Sequence, residues 1–182
     1  SQTILQLRPD VIINAAAYTD VDGAEDQHEL AYLLNHRAPE AMAEAAKKTK
    51  ALLVHYSSDY VFRGSGHYAR GESAAVEPLN VYGKSKLQGE IAVRASGCQH
   101  LIFRTSWVYS TRRQNFLKTI LRLAATQKNL SVVDDQFGTP TSAELIADVT
   151  AGAIHMTMAH KRLAGLYHLS AAGASNWYEY AC

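Results

Sequence analysis

The apolar positions of the chain fall into short unbroken runs, separated by longer stretches in which apolar residues return every three or four positions. Val11-Ile12-Ile13, introduced by Pro9-Asp10 and ended by Asn14-Ala15-Ala16-Ala17, is a β-branched run without alternation, which predicts a buried strand. A helical stretch follows from about Gly23 to Asn35, and another runs from Pro39, suited to a first helical turn, through the Ala-rich segment to Lys48. Ala51 to Tyr56 predicts the next strand, followed by a loop with Gly64, Gly66 and Gly71 and by a helix from about Val81 to Ala95 closed by Gly97. Leu101-Ile102-Phe103 reads as strand again. Beyond it the pattern predicts a helix from about Asn115 to Gln127, a strand at Leu130 to Val133, a helix from about Ser142 to Met158 and a strand from Leu166 to Leu169. Strands that alternate with helices predict an α/β fold with a mostly parallel sheet.

Composition narrows the picture. At 182 residues the chain is long enough for one sizeable core. Charged residues make up 19% and the formal net charge is +1, so no global field draws the protein to nucleic acid or an acidic membrane, and an anionic ligand has to be met locally. Cys98 and Cys182 lie far apart with no CxxC or Cys/His cluster, which argues against zinc or a disulfide framework and fits a reducing cytoplasm. No run of about 18 apolar residues predicts a membrane span, and the N-terminus lacks the layout of a signal peptide. The chain opens at Ser1 without an initiating Met and stops at Cys182 about one turn into an apparent helix, so it reads as a fragment.

Chemistry is suggested first by Tyr82-Gly83-Lys84-Ser85-Lys86. Tyr82 and Lys86 are four apart on a predicted helix and share a face, so a cation stands within reach of a phenol whose ordinary pKa is about 10. That pairing is expected to draw Tyr82 toward a value useful for proton transfer to a ketone oxygen. With ten tyrosines and eight lysines the spacing arises by chance about 0.4 times in such a chain, so it is weak alone. Tyr56-Ser57-Ser58-Asp59-Tyr60 strengthens it, because the carboxyl ends of parallel strands are where α/β sheets place ligand groups. Ser58 there suits either a turn cap or a hydroxyl that holds a substrate carbonyl.

Other residues weigh less. Asn14 and the following alanines could allow close approach of a cofactor, although tight helix-on-sheet packing explains small residues equally well. Gly64-Ser65-Gly66 has no third glycine and opens no helix, which argues against a phosphate loop. His55 lies in an apolar strand and no histidine falls in a HExxH-like arrangement, so satisfied structural histidines are expected and no metal is assigned. Trp107 follows a strand and suits either a core position or stacking on a sugar or base.

Taken together, Asn14-Ala15-Ala16-Ala17, Ser57-Ser58-Asp59-Tyr60-Val61-Phe62, Tyr82-Gly83-Lys84-Ser85-Lys86, Arg104-Thr105-Ser106-Trp107-Val108-Tyr109 and Asp135-Gln136-Phe137-Gly138-Thr139-Pro140-Thr141 resemble the dTDP-4-dehydrorhamnose reductases, a family of extended short-chain dehydrogenases. The resemblance runs the length of the chain, in order. It implies a Rossmann-like doubly wound sheet, here partial, with segments about 135–145 and 170–182 contributing to a smaller substrate-binding region. It implies reduction of dTDP-4-dehydro-6-deoxy-L-mannose to dTDP-L-rhamnose with NADPH or NADH, for surface polysaccharides. Under it Tyr82 is the acid, and Lys86 binds the nicotinamide ribose and lowers the tyrosine pKa. Ala17, Tyr18, Thr19 and Tyr56 are implied as cofactor contacts, and Ser58, Asp59 and Trp107 as substrate contacts. Ser58 stands where these reductases often carry threonine, which keeps the hydroxyl and removes a methyl. A homodimer, in some relatives with Mg²⁺, is implied by analogy alone. The glycine-rich turn that holds the pyrophosphate in this family is not among the 182 residues.

Two rivals share parts of this pattern. One is a nucleotide-sugar epimerase or 4,6-dehydratase, but the dehydratases carry an Asp-Glu pair after the corresponding Ser or Thr, whereas Asp59 is followed by Tyr60. The non-catalytic regulatory subunit of methionine adenosyltransferase resembles these reductases but lacks the Thr-Ser-Trp segment, which makes Trp107 the discriminator. Arg112 and Arg113 sit in a plausible loop for a substrate pyrophosphate, and solvated surface arginines fit as well.

Overall fold

A computed structural model describes residues 2–66, 68–112 and 114–182, so Arg113 lies outside the described residues. In chain order the elements begin with α1 (Gln2–Leu7), β1 (Val11–Asn14), α2 (His28–Tyr32), α3 (Ala38–Thr49), β2 (Leu52–Ser58), α4 (Val81–Ser96) and β3 (His100–Thr105). They continue with β4 (Val108–Tyr109), α5 (Phe116–Ala124), β5 (Phe137–Gly138), β6 (Thr141–Ser142), α6 (Ala143–Ala159), β7 (Gly165–His168), β8 (Ser175–Asn176) and α7 (Trp177–Ala181).

The first compact unit comprises residues 1–104 and 154–168. Its sheet has the order β1-β2-β3-β7. β1 runs parallel to β2, with Val11 opposite Leu52, and β3 parallel to β7, with Leu101 opposite Gly165. This is the α/β fold with a parallel sheet that the alternation predicts, in the Rossmann-like form that the family resemblance implies. Ala43 and Ala46 of α3 and Val93 of α4 pack on Leu53 and Ile102 of the sheet. The alanines let α3 lie close to the strands, and each fully buried Leu or Ile contributes about 1.5–3 kcal/mol of transfer free energy. α4 starts where Asn80 caps the Gly83 N–H at 2.7 Å and stops at Gly97, whose φ of 72° is the left-handed cap conformation.

Three expectations need correction. The helix expected from Gly23 to Asn35 is broken into a 3₁₀ turn (Gly23–Glu25) and α2, and a π-helical turn over Leu33–Arg37 carries the chain without a gap into α3. β1 is not uniformly buried: Asn14 is, but Ile13 is 53% exposed, because alternate side chains leave opposite faces and only one face is covered there among the described residues. No strand forms at Leu130–Val133. The segment instead lends the Val133 carbonyl to the Tyr178 N–H at 3.1 Å, and its β-branched pair finds no ladder to join.

The second unit comprises residues 105–153 and 169–182 and therefore contains both segments, 135–145 and 170–182, that the family resemblance gave to substrate. Its strands are two-residue pairs, β4 parallel to β6 and β5 antiparallel to β8. An Asn176/Glu179 capping box starts α7.

Candidate active site

The site of the first unit is assembled at the carboxyl end of β2 and the first two turns of α4. Gly83 makes this possible: a Cβ there would lie 2.2 Å from the Tyr60 carbonyl oxygen, so only glycine lets α4 approach the turn after β2. That turn is a 3₁₀ turn over Asp59–Val61 capped by Ser58, whose Oγ accepts from the Tyr60 N–H at 3.2 Å and donates to Asp59 Oδ1 at 3.0 Å. Ser58 also hydrogen-bonds Tyr82. The turn-cap reading of Ser58 is therefore realised, and the same buried hydroxyl touches the phenol.

Tyr82 is 9% exposed and packs edge-on against Tyr60 at 5.5 Å between ring centroids. Burial pushes its pKa up to about 12, Ser58 acts downward, and Asp59 and Tyr60 push it further up. This is opposite to the lowering expected from Lys86. The physical reason is burial of the phenol, and Lys86, itself 2% exposed, donates from Nζ to the Tyr56 carbonyl at 2.6 Å. Burial brings the Lys86 ammonium down to about 8, with the Glu90 carboxylate working upward.

The loop after β1 is held by a residue the sequence did not single out. Asn35, fully buried in the π turn, accepts from the Tyr18 N–H at 2.9 Å and donates to the Tyr18 carbonyl and to Ser85 Oγ, each at 3.0 Å. Ser85 in turn donates to the Tyr82 carbonyl at 2.8 Å, so one amide ties residues 17–19 to α4. Along this loop Ala15, Ala16 and Thr19 are exposed, while Ala17, Tyr18 and Tyr56 are half-buried.

His55 departs from the expected satisfied histidine. Its Nδ1 meets Asn14 Nδ2 at 3.1 Å, but its Nε2 is buried without a hydrogen-bond partner. Burial first, and the Lys86 charge second, drive its pKa down to about 3, so the ring is neutral. Asn14 also accepts from the Ala16 N–H at 3.2 Å, which fixes the turn out of β1.

A second buried group was missed as well: Arg104 of β3 donates from Nε and Nη2 to the two Glu90 oxygens at 2.8 and 2.6 Å, with side chains only 4% and 1% exposed. Glu90 extends the Tyr82–Lys86 face by another four residues, and an arginine inside an apolar strand demands a partner. Those were the available signals. Asn35 offered none, since nothing in the residue pattern predicts a π turn.

In the second unit Trp107 adopts φ 46°, a left-handed conformation rare for a bulky side chain, which marks a position held by its surroundings. Its indole stacks on Trp177 at 3.6 Å and 10°, and Tyr180 and Phe116 complete the cluster. Gly138 has no room for a Cβ, which would fall 2.3 Å from the Trp107 ring. Among the described residues no three His, Cys, Asp or Glu are grouped to hold a metal ion, and no helix is long and apolar enough to cross a membrane.

Comparison with known proteins gives the chain its family. The dTDP-4-dehydrorhamnose reductase of Salmonella typhimurium is 55% identical over 181 residues, covering 100% of this chain and 60% of that protein. The Escherichia coli K12 protein of the same name is 51% identical with the same coverage. The chain thus spans about 60% of the length of the curated relatives it matches. Among solved structures, the Bacillus anthracis dTDP-4-dehydrorhamnose reductase in complex with NADP superposes with a TM-score of 0.93 at 38% identity, covering 99% of this chain and 63% of that one. The Bordetella bronchiseptica enzyme WbmG, at 19% identity and TM-score 0.82, shares the fold. The family model described as the RmlD substrate binding domain matches residues 1–182, and the chain belongs to that family.

Proposed function

We propose that the protein of which this chain is part reduces dTDP-4-dehydro-6-deoxy-L-mannose to dTDP-L-rhamnose with NADPH or NADH. The observation that carries the reading is the buried cluster of Tyr82, Ser58 and Lys86 at the carboxyl end of β2, in a chain 55% identical to a reductase of that name. The donor set suits a nicotinamide nucleotide. Among the described residues Lys86 donates to the Tyr56 carbonyl, and an ammonium has three N–H groups, so donors remain for a ribose diol. Ala15 and Ala16 leave the exposed lip after β1 without bulk. When bound, a reduced nicotinamide supplies hydride to the substrate carbon.

The chain's own residues do the rest. Tyr82, with its pKa near 12, is protonated at neutral pH, so the acid is loaded before substrate arrives. Ser58 can turn its hydroxyl from Asp59 toward the substrate carbonyl, which orients the oxygen to Tyr82. As negative charge develops on that oxygen, the phenol proton moves to it and the carbonyl becomes an alcohol. Lys86 supports the phenolate left behind from one helical turn away. In this reading Ala17, Tyr18, Thr19 and Tyr56 contact the cofactor and Asp59 the substrate, and Trp107 is a substrate contact by the family resemblance.

The test mixes the parent protein with NADPH and the 4-keto sugar nucleotide and follows cofactor absorbance. Substrate-dependent oxidation with dTDP-L-rhamnose as product is expected. Absence of oxidation with either NADPH or NADH overturns the reading.

A further inference from the structure

Buried ion pairs are seldom better for stability than well-packed apolar residues of the same volume. The Glu90–Arg104 pair therefore calls for a reason beyond stability, and its position offers one. Glu90 lies four residues beyond Lys86, which lies four beyond Tyr82, so phenol, ammonium and carboxylate follow one another along a single face of α4. Arg104 approaches from β3 with a bidentate grip, and its guanidinium is fixed in turn, 5.0 Å above the Phe62 ring and donating to the Glu72 carbonyl at 3.3 Å. No such fixing is needed to bury a charge, but it is needed to hold a carboxylate at a constant place relative to Lys86.

We propose that the Glu90–Arg104 pair is a positioning element for Lys86, a fixed buried anion that keeps the ammonium charged and aimed at the Tyr56 carbonyl. The inference deepens the reductase reading by assigning the residues that maintain the charge beside Tyr82, and it rests on that reading for its catalytic meaning. The other groups around Lys86 do not supply this anion. β2 presents the Tyr56 carbonyl and a neutral His55, and the π turn presents the neutral Asn35. The 3₁₀ turn after β2 directs Asp59 and Tyr60 at Tyr82, and Glu25 is engaged by the Val81 N–H at 2.8 Å. Burial alone weakens the lysine as a base-holding cation, and Glu90 is the group that opposes it.

Titration of Lys86 in the parent protein, followed by the chemical shift of its ¹³C-labelled Cε and assigned by loss of the signal in Lys86→Arg, tests this without any turnover. Glu90→Gln removes the anion and leaves Arg104 charged, so the Lys86 midpoint falls by about one pH unit or more. Arg104→Gln leaves the anion unopposed, so the midpoint rises. Opposite signs separate a charge effect from a packing defect, which would disturb both variants in the same direction. If Glu90→Gln does not fold, Glu90→Leu/Arg104→Leu removes both charges and keeps an apolar fit, and its midpoint is also expected below the parent's. Midpoints unchanged from the parent, or a fall in Arg104→Gln, overturn the proposal. Opposite shifts in a protein that oxidises no cofactor would uphold the proposal for Lys86 while the reductase reading fails, so the two are separable.

Discussion

Gly89 sits in the middle of α4, where glycine ordinarily costs a helix about 1 kcal/mol relative to alanine. Here a Cβ would fall 2.1 Å from the Asn35 carbonyl oxygen and 3.3 Å from its carbon, with His55 Nε2 at 3.4 Å. An ordinary carbon contact lies near 3.5 Å, so α4 would have to move away from the π turn by about 1 Å. The neighbour is backbone, not a flexible side chain, and cannot swing aside. Gly89→Ala is therefore expected to lose about 1–3 kcal/mol of stability instead of gaining one. The same displacement would stretch the Lys86–Tyr56 bond of 2.6 Å and the Asn35–Ser85 bond of 3.0 Å, so turnover should fall as well. Urea unfolding followed by far-ultraviolet circular dichroism measures the stability. Gly152→Ala is the control: it lies in α6 with nothing within 4 Å of a Cβ, and a gain of up to about 1 kcal/mol is expected. A Gly89→Ala protein as stable as the parent, or more so, would refute the tight approach of α4 to the π turn.

Two further outcomes follow from the site. His55 has a folded pKa near 3 against an ordinary 6.5, so the unfolded chain binds its proton first and stability is lost as pH falls from about 6.5 toward 3. The loss reaches on the order of 4 kcal/mol if the site stays dry, and His55→Gln should flatten that limb of an unfolding-versus-pH series. Ser58→Ala removes both the turn cap and the Tyr82 contact, so kcat should fall tenfold or more while Ser58→Thr retains most activity, as steady-state kinetics of the parent protein would show.

How far the sequence could be read depended on what kind of interaction set each feature. β1, β2, β3 and β7 were visible because dense apolar runs have few alternatives to a covered parallel sheet. Asn80 and Gly97 bounded α4 through local capping chemistry, which the residues themselves carry. Leu130–Val133 was misread because a β-branched run makes a strand only beside a partner, and that partner is a tertiary fact. The Tyr82, Lys86 and Ser58 cluster could be foreseen from spacing and strand ends, whereas the direction of the Tyr82 pKa could not. That direction depends on burial, which outweighs the Ser58 hydrogen bond. Asn35 was hidden for a similar reason, because its role depends on the π turn that aims it at Tyr18 and Ser85.

The central claim is that Tyr82 gives the proton that completes reduction of the keto sugar. Replacing it in the parent protein by Phe removes one oxygen from a buried ring and leaves Lys86 and the cofactor side of the site in place. The expected result is a fall in kcat for the 4-keto sugar nucleotide of roughly 10²–10⁴ with a Kd for NADPH within a few-fold of the parent value. Turnover of Tyr82→Phe close to that of the parent would contradict it.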